Sequence, residues 1–193
     1  KVKGLDVSTG TAETDKMTLD MDGTKGDLIS ARGNLDVDVF GFFQVSGGFA
    51  FEKKSETVSV RTGDTVVETA VNVLTIGASG VEAFAGLNGG TSDAMGLELS
   101  GTEFALVLAS EKPAVPAVTG TTVTPTSPAP LQKWTSLQAS VESIAVVGIE
   151  GLTIGADTLT VEINKSSVNG SIIDYKVKGL DVSTGTAETD KMT

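Results

Sequence analysis

Residues 33–53 read GNLDVDVFGFFQVSGGFAFEK. Leu35, Val37 and Val39 fall on alternate positions, and so do Phe49 and Phe51. A period of two is the mark of a strand with one apolar side. The same alternation runs through Met17, Leu19 and Met21, and through Leu159, Val161 and Ile163. No segment carries a convincing 3.6 period, and SLQASVESIAVV (136–147) fits a bent strand at least as well as a helix. The chain therefore reads as all-β, with 23 glycines available for turns and bends.

A second pattern lies within the strands. Val45-Ser46-Gly47 leads into Phe49 and Phe51, and Ile76-Gly77-Ala78 into Val81 and Ala83. Leu99-Ser100-Gly101 leads into Phe104, Leu106 and Leu108, Ala139-Ser140 into Ile144 and Val146, and Ile154-Gly155-Ala156 into Leu159 and Val161. In most of these the apolar phase slips by an odd step. A flat strand would then turn its apolar residues to the opposite side, so a bulge or corner is expected there, where small residues fit. The expected architecture is an elongated antiparallel meander of long bent strands, forming a sandwich, a flattened barrel or a prism-like β-tube. All five prolines fall in 111–132, which reads as an exposed loop inside this unit.

The first eighteen residues, KVKGLDVSTGTAETDKMT, return unchanged at 176–193. A repeat at an offset of 175 residues reads as one full unit, 1–175, followed by the start of the next. The first copy runs on into LDMDG, whereas the second stops at Thr193. The copies are thus expected in unequal contexts, at opposite ends of the body and free to differ in conformation. The natural border is expected elsewhere within the 175-residue period.

Composition narrows the chemistry. With no His and no Cys there is no imidazole base, thiol nucleophile, disulfide or ordinary zinc site. The formal charge of −11 opposes nucleic acid and anionic membrane, favours divalent cations, and makes a string of such units repel itself and stay extended. Asp36 and Asp38 read as a solvated face opposite Leu35 and Val37. The five phenylalanines Phe40, Phe42, Phe43, Phe49 and Phe51 read as the main core strand pair. In LDMDGTKGD, the carboxylates of Asp20, Asp22 and Asp27 around Gly23 have the spacing of an oxygen-ligand loop for structural calcium, although an EF-hand's distal acid is missing. Asp6, Glu13 and Asp15, with their copies Asp181, Glu188 and Asp190, are further candidates. The NKS at Asn164 matches a glycosylation acceptor.

Two phrases, LDMDGTKGDLISARGNLDVDVFGFFQVSGGFAFEK and GLTIGADTLTVEIN…IIDYKVKGLDV, resemble the tandem extender repeats of giant bacterial surface adhesins, including repeats-in-toxin adhesins. The resemblance spans the whole unit and has no catalytic motif. It implies a non-enzymatic spacer at the bacterial cell surface, identical neighbours head to tail, a role in adhesion and biofilm, and calcium as a rigidifying ion. It does not imply which residues bind that ion. Two other readings compete. One is a carbohydrate- or surface-binding β module, with TGTTVTPTSP (119–128) as its only candidate face. The other is a carboxylate-based hydrolase, which identical tandem copies disfavour.

Overall fold

A computed structural model describes residues 4–113, 130–167 and 170–193. Six long strands follow one another: β3 (Ile29–Val39), β4 (Phe43–Thr62), β5 (Thr65–Leu87), β6 (Met95–Glu111), β7 (Lys133–Val147) and β8 (Gly155–Ser166). Two short strands precede them, β1 (Leu5–Ser8) and β2 (Lys16–Leu19); three follow, β9 (Ile172–Ile173), β10 (Val182–Ser183) and β11 (Lys191–Met192). The long strands pair antiparallel in chain order, and β9 adds to β4 beyond the end of β3, giving a sheet of seven strands. Among the described residues β3 and β8 lie at opposite ends of this order and do not pair, so the meander is open and does not close into a barrel. β5 alone, with 23 residues, would reach roughly 75 Å if straight.

Turn chemistry sets this order. Gly63 and Asp64 link β4 to β5 as a two-residue hairpin, with Thr62 opposite Thr65. Phe40 and Gly41 carry β3 into β4 with positive φ, and Asp38 accepts a hydrogen bond from the Gly41 N–H at 2.8 Å. β6 and β7 pair with each other, so the segment between them connects two neighbours in one sheet. Residues 114–129 of the Pro-rich loop, including the TGTTVTPTSP stretch, lie outside the described residues.

The kinks form one line. The β4–β5 register shifts between Ser46 and Gly48, and the β5–β6 register shifts on either side of Val81. Gly80, Gly101 and Thr158 have positive φ, and the ladder around Glu142 skips Gly101 on one neighbour and Thr158 on the other. The corner thus crosses the sheet from β4 to β8. In β8 it falls at Thr158 rather than at the expected Gly155, which begins the strand. Paired residues share a side, so the registers show what the corner achieves. Phe43 pairs with Ala85 and Phe51 with Ile76; Leu97 pairs with Val146 and Leu106 with Leu137. The odd phase step therefore keeps apolar residues on the same side of the sheet above and below the bend.

The core lies on the other side. Val58, Val60, Val71, Val73, Ala105, Val107, Ala109 and Trp134 are buried there with Ile173, Leu180 and Val182. The phenylalanine stretch is not this core. Phe40, Phe42, Phe43 and Phe51 are exposed, because two belong to the β3–β4 turn and the strand residues point to the side whose large residues stay open. What decides the buried side is the chain's return after β8. Asn164 assists it by donating from Nδ2 to the Ile173 carbonyl at 2.8 Å while Oδ1 accepts from Ser136. That side chain is a clamp between sheet and β9.

Candidate functional site

The two copies of the repeated segment fold into the same hairpin. Val7 faces Met17 and Ser8 faces Lys16 in the first; Val182 faces Met192 and Ser183 faces Lys191 in the second. Thr18 donates its hydroxyl to Asp6 at 2.7 Å, and Thr193 donates to Asp181 at 2.7 Å. The loop is locked by Asp15 Oδ2 accepting from the Ala12 N–H at 3.0 Å, and by Asp190 Oδ2 accepting from the Ala187 N–H at 2.9 Å. The freedom to differ in conformation is therefore not used. The bonds that define the hairpin are internal to the repeated residues, so it closes whatever follows it.

Surroundings separate the copies. Leu5 is 67% exposed and its counterpart Leu180 is 7%; Val7 is 42% exposed and Val182 is 2%. Every described residue of the first hairpin strands is exposed. The second hairpin lies across β4, β5 and β6. The contexts are unequal: the copy followed by LDMDG is open to solvent, and the one ending at Thr193 is packed.

The floor under the second hairpin is built for close approach. Gly77 in β5 leaves room for the Ser183 carbonyl, and Gly48 in β4 for the backbone of Thr184 and Gly185. Ser79 Oγ donates to the Thr184 carbonyl at 3.1 Å. Val71, Val73, Val107 and Trp134 supply the apolar surface that Leu180 and Val182 cover. The linking segment is pinned at both ends. Arg61 Nε donates to Asp174 Oδ2 at 2.6 Å, and Lys178 Nζ donates to the Thr57 carbonyl at 2.7 Å. Beside the hairpin a cleft of about 590 Å³ remains, bordered by Val107, Ser136, Ile173, Tyr175, Leu180 and Met192. Burial pushes the Tyr175 phenol above its ordinary value.

Electrostatics hold the linking segment to β4 and help to close the hairpin. The Arg61 hydrogen bond holds Asp174 below the usual carboxylate range, and bonds from Lys191 and Thr193 do the same for Asp181. A carboxylate whose pKa is lowered by folding contributes stability in full above its unfolded value, near 3.8, and loses that contribution as pH falls through the lower folded value. Stability is therefore expected to fall with acid below about pH 4. In Asp174→Asn the urea midpoint, followed from pH 6 to pH 2.5, is expected to show a shallower fall than the parent chain.

The acidic residues singled out by spacing are placed as follows. Asp20, Asp22 and Asp27 lie around a 3-10 turn at Gly23–Lys25, where Asp22 Oδ1 accepts from the Thr24 N–H at 2.9 Å as its cap. Among the described residues no three acidic side chains converge as metal ligands would. Asp6, Asp15, Asp181 and Asp190 are the hairpin locks just described. Asp36 and Asp38 line an open groove with Glu82 and Glu98, and Asp38 is held below the usual range by the Gly41 N–H and then Gln44. Sequence reasoning missed Gly77, Gly48, Val71, Val73 and Trp134. For Val71, Val73 and Gly77 the signal lay in the run VNVLTIGA (71–78), which carries apolar residues on both alternating sides. Comparisons with protein-family models, with curated proteins and with solved structures give no match for this chain.

Proposed function

We propose that this chain is a structural extender repeat of a large secreted or surface-anchored bacterial adhesin, a spacer that holds a distal binding domain away from the cell and whose neighbours are identical repeats head to tail. The observation that carries this reading is the exact recurrence of one hairpin at an offset of 175 residues, with the second copy folded into the body it follows. A segment that closes one sheet and returns at the same place in the next period suits a joint between units. The net charge of −11 adds repulsion between successive units.

Small-angle scattering on proteins of one, two and four periods tests the spacer role. The maximum dimension is expected to grow nearly linearly with period number, and collapse toward a globule contradicts it. Calcium has a separate test. A thermal midpoint that rises with calcium and no longer rises in Asp22→Asn supports an ion at the 3-10 turn; coincident midpoints in calcium and in chelator remove it.

A further inference from the structure

We propose that the exposed hairpin formed by the first copy is a docking element for another copy of this fold, and that it occupies there the place the second copy holds here. The proposal deepens the extender reading and rests on it for the identity of the neighbour.

The fold contains both the occupant and the receiving surface. The receiving surface consists of Gly48, Gly77, Val71, Val73, Val107 and Trp134, with Ser79 to fix the register. Its present occupant is a hairpin of the same sequence, strand register and loop locks as the one at the start of the chain. Whatever complementarity the surface has for Leu180, Val182 and Thr184 it has for Leu5, Val7 and Thr9. The first hairpin meanwhile leaves Leu5, Val7, Met17 and Leu19 exposed on an isolated two-stranded ribbon, a structure of marginal stability in water. A ribbon of this kind gains order by packing against a larger sheet. The structural unit is accordingly offset from the sequence period: 19–193 fold together, and 1–18 belong to the sheet of the copy before.

Within one chain the second hairpin wins the surface because its tether gives it an effective concentration of about millimolar. The test removes that advantage in the full chain. In Leu180→Asp/Val182→Asp the second hairpin is ejected, and the first hairpin of another chain is expected to dock in its place. Sedimentation is expected to show concentration-dependent head-to-tail association of this variant at tens of micromolar, on the scale of a bimolecular contact. Adding Leu5→Asp/Val7→Asp is expected to return it to monomer. Trp134, the only tryptophan, belongs to the same buried cluster as Leu180 and Val182 and reports on its opening. Its emission is expected to move to the red in the double variant and back to the blue when a peptide of residues 1–19 is added. The same peptide carrying both Asp substitutions is expected to have no effect.

A folded double variant that stays monomeric and ignores the peptide overturns the proposal. Association that persists in the quadruple variant also overturns it, because contact would then not need the first hairpin. Should the double variant not fold, the parent chain is incubated with excess peptide labelled at its N-terminus. Stable co-migration that depends on Leu5 and Val7 supports exchange, and its absence overturns it. These results are independent of the scattering test: compaction of longer proteins leaves peptide docking intact, and failed docking leaves linear growth intact.

Discussion

Val182→Asp is expected to lower the stability of the chain by about 4 kcal/mol, and Val7→Asp, the same change in the same sequence, by less than about 0.5 kcal/mol. The two valines have identical neighbours for several residues on either side. Propensity, hairpin register and local charge are therefore matched, and only the packing environment differs. Val182 contacts the cluster that holds Trp134, Val71 and Val107, whereas Val7 faces solvent. An aspartate at 182 must either sit ionised in that cluster or pull the hairpin away. Undocking exposes Leu180 and Val182, worth about 1.5–3 kcal/mol each, along with the surface they cover. The loss is bounded by the energy of docking. For a chain of this size it corresponds to a drop in thermal midpoint of roughly 10 °C. Equal effects at the two positions would mean that the second hairpin contributes no more than the first.

Gly77→Ala is expected to cost about 3 kcal/mol and to shift Trp134 emission to the red, while Gly33→Ala is expected to be neutral within about 0.5 kcal/mol. Both glycines lie inside long strands with ordinary φ, so backbone entropy alone favours alanine at each. They differ in what a Cβ would meet. At Gly33 nothing lies within 4 Å. At Gly77 the methyl group would overlap the Ser183 carbonyl, with the Thr184 side chain at 3.0 Å. A backbone carbonyl cannot rotate aside as a flexible side chain can, so the whole hairpin must rise from β5. Denaturant midpoints and fluorescence of the two variants check this. A stable Gly77→Ala with unshifted emission would contradict close docking.

Much of the architecture is legible in the sequence. Alternation at Leu35–Val39 and at Leu159–Ile163 marks strands that do form, and the small-residue steps at Gly47 and Gly101 mark the corner. Thr158 was not legible: a β-branched residue at positive φ runs against local preference, and its position follows from the ladder reaching it from Glu142. The phenylalanine run misled for a different reason. Alternation shows that Phe43, Phe49 and Phe51 share a side, but only the long-range return of 170–193 tells which side is covered. The repeated segment shows the limit most plainly. One sequence of eighteen residues yields one hairpin and two burials, so burial at Leu5 and Leu180 is a property of what lies beneath and not of the residues themselves. The acids of the repeat read as metal candidates by spacing, and two of them, Asp15 and Asp190, also lock the hairpin loops, a use that local spacing does not reveal.

The central claim is that the hairpin at a joint packs on the sheet before it while the chain continues into the sheet after it. Hydrogen exchange on a protein lengthened by one period, with residues 19–193 repeated after Thr193, measures this directly. It contains three copies of the hairpin: one at the start, one at the joint and one at the end. The account predicts fast exchange at the first copy and strong protection, near that of β5, at the joint and the last. A joint copy that exchanges as fast as the first would show that continuation into the next unit pulls the hairpin off its sheet, and would contradict the account.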